Sequence, residues 1–283
     1  MPILSCAHVH TPYCDGKTPA AEMAKRAFDL GFLSLGFSSH APQTFDPGYC
    51  IDPAREADYK AEIRALKREY AGRMTVYLGV ERDMLSCCST EDYDYFIASF
   101  HYFTKPDGHH APVDAGPEKL REYVDACCGG DGLEMARRYF SALRDYVLSS
   151  RAPIIGHFDL VRKNNAVLRL YDEEGPAYRN MALDALRPLA GTGALLEVNT
   201  GAMARGYLST PYPAPFLLKA WKDWGGEVIV NSDCHDARFL TTGFDESEAL
   251  LRSLGYTHAV RLGKDTLWER FSLAEGNRHG HEI

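Results

Sequence analysis

The sequence predicts an α/β fold in which about seven parallel strands, each followed by a helix, close into a barrel. Short apolar segments alternate along the chain with longer amphipathic segments. The apolar segments are continuous, which is typical of parallel strands buried under helices. The chain has 283 residues, a length that suits a single βα barrel. An open, doubly wound sheet is the alternative arrangement of the same elements.

The predicted strands are short runs rich in branched and aromatic residues, the composition that favours buried strands. In chain order they cover residues 4–9, 33–38, 75–80, 95–100, 153–156, 194–198 and 228–231, with a further candidate near 258–261.

The predicted helices are the amphipathic segments between these strands, in which apolar residues recur at helical spacing. They cover residues 20–30, 54–70, 133–148, 177–189, 215–224 and 246–254. Gly31 and Gly72 follow the first two helices, where glycine commonly ends a helix.

One connection is much longer than the others. Residues 102–132, between the fourth strand and the next helix, are rich in Pro, Gly, Asp and His and contain no predicted element. Long connections at a barrel mouth often carry substrate specificity. No tract resembles a linker, so residues 1–283 are predicted to form one domain with this insert and a frayed tail at 275–283.

Composition disfavours several classes of protein. The net charge of -8 and the pI of about 5.8 disfavour a nucleic-acid partner, which usually requires a basic surface. No apolar run reaches the roughly 18 residues of a membrane helix, and no basic segment opens the chain, so we expect a cytoplasmic protein without a membrane partner. The eight cysteines include two adjacent pairs and no Cys-x-x-Cys spacing, which argues against disulfides and thiolate zinc sites.

A metal site is indicated first by His8 and His10, at the end of the first strand. Residues i and i+2 of a strand point to the same face, so the two imidazoles can bind one ion. Other ligand-type residues stand where later strands end, or just beyond the first strand: Asp15, His40, Glu81, His101, His157, Asp233 and His235. The carboxyl ends of barrel strands form the active-site rim, so these side chains are expected to meet there.

The ligand types and their number indicate the ions. Imidazole and carboxylate without thiolate suit Zn²⁺, Fe²⁺ or Mn²⁺, and this many ligands suit two or three ions with a bridging carboxylate. The remaining histidines lack the strand-end placement and are predicted not to be ligands: His109, His110, His258, His279 and His281.

These blocks resemble the motifs of the polymerase-and-histidinol-phosphatase (PHP) superfamily, from Ala7 to about Asp236. The resemblance implies a distorted seven-stranded βα barrel with three metal ions. It assigns His8, His10, Glu81 and Asp233 to the first ion, Glu81 with His101 and His157 to the second, and Asp15, His40 and His235 to the third. Cys14 is the alternative to Asp15.

Within this superfamily, the insert after His101 and the segments 157–163 and 197–205 are similar to the histidinol-phosphate phosphatase branch. That resemblance implies a phosphomonoesterase that converts L-histidinol phosphate to L-histidinol and phosphate in histidine biosynthesis. The predicted catalytic residues are the metal-binding acids Glu81, Asp233 and Asp15. The acid that protonates the leaving alkoxide stays open among Asp15, Asp233 and a water molecule.

Phosphate also requires cationic donors. Arg162 and Arg205 follow the fifth and sixth strands and are predicted to bind it, with Lys163 as a weaker candidate. The candidates for contact with the amine and imidazole of the substrate are two acids and three aromatic residues: Asp107, Asp114, Tyr102, Phe103 and Tyr207.

Three other functions use a similar ligand set. The main alternative is a PHP-type nucleotide phosphoesterase or single-strand exonuclease. The others are a metal-bound scaffold or sensor and an amidohydrolase-type barrel, whose first strand also carries His-x-His. The expected partner is a small phosphate ester rather than nucleic acid, and a homodimer stays open.

Overall fold

A sheet of nine strands forms the centre of the protein, in a computed structural model that describes residues 3–273. The strands are β1 (Ser5–Cys6), β2 (Ser34–Phe37), β3 (Thr75–Asp83), β4 (Tyr95–Ser99), β5 (Tyr102–Thr104), β6 (His110–Pro112), β7 (Ile154–Ile155), β8 (Leu195–Asn199), β9 (Val228–Asn231), β10 (His258–Leu262) and β11 (Trp268–Ser272). β5 and β6 form a separate hairpin, and the nine others are ordered β1-β2-β3-β4-β7-β8-β9-β10-β11.

The helices cover the outside of this sheet. They are α1 (Ala20–Asp29), α2 (Glu56–Glu69), α3 (Pro117–Cys128), α4 (Gly132–Ser150), α5 (Arg162–Leu168), α6 (Pro176–Leu186), α7 (Gly201–Ala204), α8 (Pro215–Asp223) and α9 (Phe244–Ser253). Among the described residues, no helix is both long enough and apolar enough to cross a membrane.

Hydrogen bonds beyond the ends of β1 and β9 close the sheet into a barrel. In the main sheet, β1, β2, β3, β4, β7, β8 and β9 each pair in parallel with the next strand of this order. The backbone N–H of His10 donates to the carbonyl of Cys234 at 2.9 Å, and the N–H of Cys234 donates to the carbonyl of His8 at 3.1 Å. The extensions of β1 and β9 therefore pair with each other, and the predicted seven-stranded α/β barrel is confirmed.

The β10–β11 pair lies at the end of the barrel where the strands begin. β10 is parallel to β9, and the Tyr77 hydroxyl donates to the carbonyl of Gly263 at 3.0 Å. Tyr95 fills the interior nearby and donates to the carbonyl of Ala7 at 2.6 Å. A Cβ on Gly79 would lie 2.3 Å from the ring of Tyr95, so only glycine leaves room for this packing.

All eight predicted strands occur close to their predicted positions, but the insert is more ordered than the sequence indicated. It contains the β5–β6 hairpin and α3, where no element was predicted. Pro117 stands at the first turn of α3, and Leu120, Val124 and Cys128 are buried along one side of it. The Gly and Pro content concealed this pattern. The tail predicted to fray, 275–283, lies outside the described residues.

Candidate metal centre

The strand ends deliver the predicted ligands to one region at the carboxyl end of the barrel. A cavity of about 230 Å³ opens there. Seven of the nine predicted ligands line it: Asp15, His40, Glu81, His101, His157, Asp233 and His235. His8 and His10 are fully buried and contact the lining residues Glu81 and Asp233.

Glu81 lies at the centre of the cluster. Its Oε2 is 2.9 Å from Nδ1 of His40 and 3.1 Å from Nε2 of His8. Its Oε1 is 2.8 Å from Nε2 of His157 and 3.4 Å from Nε2 of His101. Because the two oxygens face different imidazoles, one carboxylate connects two sets of histidines.

Asp233 faces the His8–His10 pair from the end of β9. Its Oδ1 lies 3.1 Å from Nε2 of His10 and 3.7 Å from Nε2 of His8. Asp233 adopts a left-handed conformation with φ of 49°, which few residues other than glycine adopt without strain. A Cβ on Gly201 would lie 2.8 Å from Oδ2 of Asp233, so glycine at that position leaves space for the carboxylate.

Asp15 completes a third group. Its Oδ2 is 3.2 Å from Nε2 of His235, and its Oδ1 is 3.7 Å from Nε2 of His40. The same Oδ1 lies 3.8 Å from Nδ1 of His10. The Sγ of Cys14, the alternative candidate, lies 3.5 Å from Nδ1 of His10. The carboxylate is thus the group that faces both His235 and His40.

Several buried atoms of this cluster have no hydrogen-bond partner among the described residues. They include Nε2 of His8, Nε2 of His10, Oδ1 of Asp15 and Oε2 of Glu81. Buried polar atoms are rarely left unpaired, because losing water without a replacement partner costs free energy. These atoms converge within the distances of metal-ligand groups. The donor set therefore fits divalent transition-metal ions.

Two further carboxylates, which sequence reasoning did not assign to the site, support the histidines. Glu197 has Oε1 2.6 Å from Nδ1 of His8, and its Oε2 accepts the backbone N–H of His157 at 2.9 Å. Oδ2 of Asp83 accepts the backbone N–H of His101 at 2.6 Å. Carboxylates behind ligating histidines fix the orientation of the rings. For Glu197 the available signal was an acid within the apolar run of β8, because such an acid is seldom buried without a partner.

Two buried carboxyl groups, those of Glu81 and Asp233, have pKa values well below the usual range. Burial alone would raise the pKa of each, but neighbouring cations more than offset it. The pKa of Glu81 lies well below its usual value because imidazoles, His8 foremost, surround it. The guanidinium of Arg205 contributes most to the low pKa of Asp233.

The pKa of His10 is shifted in the opposite direction from the pKa values of His8 and His101. Burial and the positive charge of neighbouring imidazoles lower the pKa of His10 to about 3, so this ring is neutral. Burial also opposes protonation of His8 and His101, but carboxylates outweigh it. Glu197 acts most strongly on His8 and raises its pKa well above the usual value, while Glu81 foremost raises the pKa of His101 to about 9. A metal ion would have to displace protons from these two rings.

Three cations line the cavity beside the ligands. Nη2 of Arg205 is 3.1 Å from Oδ2 of Asp233, which orients the guanidinium at the site. Lys163 and Lys17 also line the cavity, and the sequence did not single out Lys17. An anionic ligand would meet these cations together with the metal ions.

Arg162, predicted to bind phosphate, lies outside this cavity. Its Nε is 2.8 Å from Oε2 of Glu173, and its Nη1 is 3.4 Å from Oδ2 of Asp159. Nη2 donates to the hydroxyl of Thr210 at 3.2 Å, and the residue is 8% exposed. The structure thus places Arg162 in a buried ion-pair network outside the cavity. Position along the sequence could not distinguish it from Lys163, which follows directly.

The histidines predicted not to be ligands stay away from the cluster where they are described. His109 lies on the exposed connection between β5 and β6, beside Asp107 at 3.4 Å. His110 packs against Phe45, and His258 is exposed at the start of β10. His279 and His281 lie outside the described residues.

Comparison with known proteins adds independent similarities. The family model described as "PHP domain" matches residues 7–201. A Deinococcus radiodurans protein named "Probable histidinol-phosphatase" is 30% identical over 260 residues, with 88% of this chain and 93% of that protein covered. The Bacillus subtilis protein named "Histidinol-phosphatase" is 24% identical over 257 residues, with 81% and 92% covered.

A solved structure shares the fold. Histidinol phosphate phosphatase from Lactococcus lactis subsp. lactis Il1403, complexed with Zn, L-histidinol and phosphate, aligns with a TM-score of 0.67 at 20% identity. The alignment covers 92% of this chain and 96% of that chain.

Proposed function

The chain belongs to the PHP domain family, and from this premise we propose that it is a metal-dependent phosphomonoesterase that hydrolyses L-histidinol phosphate to L-histidinol and phosphate. The observation that carries the proposal is Glu81, whose two oxygens face imidazoles from different strands beside a cavity lined by Arg205 and Lys163. Relatives of nearly the same length that are named histidinol-phosphatases support the choice of substrate.

Two or three divalent ions, Zn, Fe or Mn, would occupy the cluster. The proposed sets are His8, His10, Glu81 and Asp233; Glu81, His101 and His157; and Asp15, His40 and His235. When bound, such ions supply Lewis acidity that makes water nucleophilic near neutral pH and neutralises charge on phosphoryl oxygens.

The chain itself supplies the remaining charge and orientation for the phosphate. Arg205 presents a planar guanidinium that can form two parallel hydrogen bonds to phosphoryl oxygens. Asp233 keeps this group oriented through the 3.1 Å contact, so less freedom is lost when substrate binds. Lys17 and Lys163 add positive charge to the same cavity. The predicted phosphate contact of Arg205 is retained here, and Lys163 takes the place of Arg162.

The proposed role of the three acids is to hold the metal ions. Glu81, Asp233 and Asp15 are proposed to be essential because each faces imidazoles of more than one of these sets, so that replacing one would weaken more than one ion site. Buried carboxylates that stay ionised are suited to this task, since a protonated acid is a poor metal ligand.

The test is phosphate release by the purified, metal-analysed protein. L-histidinol phosphate, an aryl phosphate and a 5′-labelled single-stranded oligonucleotide serve as parallel substrates. We expect selective turnover of L-histidinol phosphate, and nucleotide release from the oligonucleotide would instead support a PHP-type exonuclease. Glu81→Ala should lose metal and turnover together, whereas Glu174→Ala, on an exposed side chain, should retain both. A fully active, metal-loaded Glu81→Ala protein contradicts the proposal.

A further inference from the structure

Asp114 is the one acidic residue lining the cavity, among those described, that is not a predicted metal ligand. It lies in the insert, between β6 and α3, and its side chain is 22% exposed. The other side chains that line the cavity and do not belong to the ligand set are the three cations together with Tyr49 and Leu160. A carboxylate in a cavity that binds an anion requires an explanation, because it repels phosphate.

The backbone on both sides of Asp114 is held in place. The Asn164 side chain donates to the carbonyl of Val113 at 3.3 Å and to the carbonyl of Ala115 at 2.7 Å. Nζ of Lys163 donates to the carbonyl of Asp114 at 2.7 Å. Three consecutive carbonyls are therefore bound by two neighbouring residues of α5. This arrangement fixes the position of the carboxylate before any ligand arrives.

The anchoring also joins the insert to the metal cluster. The backbone N–H of Val113 donates to the carbonyl of His101 at 2.8 Å. His101 is a predicted ligand of the second ion. Asp114 therefore directly follows Val113, which is hydrogen-bonded to a residue of the metal cluster. A group bound by Asp114 would thus lie close to the phosphate rather than at the far end of the substrate.

One oxygen of Asp114 remains available. Oδ2 lies 3.3 Å from Nζ of Lys163, while Oδ1 accepts no hydrogen bond from any described residue. The ring of Tyr49 lines the same cavity and stacks on His40 with centroids 3.9 Å apart. A cavity lined by both a carboxylate oxygen and an aromatic ring is a favourable environment for an ammonium group.

We propose that Asp114 binds the ammonium group of the substrate and thereby selects phosphate monoesters of 2-amino alcohols. The proposal rests on the proposed function, and it adds the residue that recognises the ammonium group of the substrate. In L-histidinol phosphate the amine-bearing carbon is attached to the carbon that carries the phosphate ester. The short separation of the two groups agrees with the position of Asp114 beside the metal cluster. Asp107, the other acid named from the insert, is exposed and does not line the cavity.

The experiment compares two substrates that differ only in the amine. L-histidinol phosphate is measured beside 3-(imidazol-4-yl)propyl phosphate, which lacks the ammonium group, on the metal-loaded wild type, Asp114→Asn and the control Asp107→Asn. A hydrogen bond to a charged group corresponds to roughly a 10- to 100-fold effect. We expect Asp114→Asn to lose about that factor in kcat/KM on the amine substrate, mainly through KM, and little on the analogue. Asp107→Asn should behave as wild type.

Each other outcome has a definite meaning. Equal losses on both substrates would show that Asp114 acts only by positioning Lys163, which overturns the inference. A wild type that does not discriminate between the substrates also overturns it, while the proposed function stands. Absence of turnover of L-histidinol phosphate by the wild type overturns the proposed function itself.

A measurement on the wild type covers the case in which Asp114→Asn does not fold. L-histidinol and 3-(imidazol-4-yl)propanol are compared as competitive inhibitors of aryl phosphate hydrolysis. The inference requires tighter inhibition by L-histidinol, by about 10-fold or more. Equal inhibition constants would contradict it.

Discussion

Replacing Glu197 by glutamine should weaken metal binding although the side chain keeps its shape. The carboxylate accepts four hydrogen bonds. Oε1 receives Nδ1–H of His8 at 2.6 Å and Nδ2 of Asn231 at 2.9 Å. Oε2 receives the backbone N–H of His157 at 2.9 Å and Nδ2 of Asn199 at 3.0 Å. Because every partner is a donor, an amide NH₂ placed on either side meets two donors.

Neither orientation of the glutamine restores the contacts. With NH₂ toward His8, Nδ1 must become an acceptor, which moves the ring proton to Nε2, the atom that faces Glu81 and Asp233. A protonated Nε2 cannot bind a metal. With NH₂ toward His157, the backbone N–H of that residue loses its acceptor. Rotation of the Asn199 amide does not help, because its Oδ1 already accepts the N–H of Gly201 at 2.8 Å.

The expected effect is a 10- to 100-fold weaker metal affinity, or about 1.4–2.7 kcal/mol, as for other groups that orient ligating histidines. Unpaired buried donors should lower the free energy of unfolding by about 1–3 kcal/mol each. Metal content per chain after dialysis and calorimetric titration of the metal-free protein with Zn²⁺ measure the first effect, and Glu174→Gln is the exposed control. Wild-type affinity in Glu197→Gln would refute the orienting role.

Three further predictions concern the phosphate-binding side and the protons of the cluster. Gly201→Ala should raise KM for phosphate esters severalfold in steady-state assays, because the new Cβ would lie 2.8 Å from both Asp233 Oδ2 and Arg205 Nη2; an unchanged KM would count against this packing. Arg205→Met should raise KM about 10-fold or more with little change in Tm. Arg162→Met should instead lower the free energy of unfolding by roughly 3 kcal/mol and leave KM nearly unchanged. Steady-state kinetics and thermal unfolding of the two variants distinguish these outcomes. Metal affinity should rise between pH 6 and 9, by up to about tenfold per pH unit for each proton displaced. The reason is that the pKa of His101 in the metal-free protein is raised to about 9, so this ring must release its proton when it binds a metal ion. A pH-independent affinity would show that this ring is not a ligand.

The sequence alone predicted the parallel strands because their signals are local. Each strand is a short apolar run, and the barrel arises from repetition of one strand–helix unit along the chain. The predicted ligand set followed from this regularity, because residues such as His40 and His157 stand within three residues of a strand end, where the barrel must bring them to one rim. A signal of this kind survives in a single sequence because it needs only the order of residues.

Tertiary structure decided which of two adjacent cations lines the cavity. Arg162 and Lys163 are adjacent, and both follow β7 in a segment whose helix α5 the sequence did not reveal. Residues one position apart on a helix point in different directions, so Arg162 enters the buried network with Asp159 and Glu173 while Lys163 lines the cavity.

The supporting contacts depend on tertiary structure in the same way. Glu197 and His8 are separated by 189 residues, and the Asn164 side chain binds the carbonyls of Val113 and Ala115 across 51 and 49 residues. No local pattern specifies such pairs, because they form only when the closed barrel and the insert bring distant segments together. The sequence thus determined which residue types meet at the strand ends. The fold decided which of them are free to bind a ligand and which are already bound to the protein.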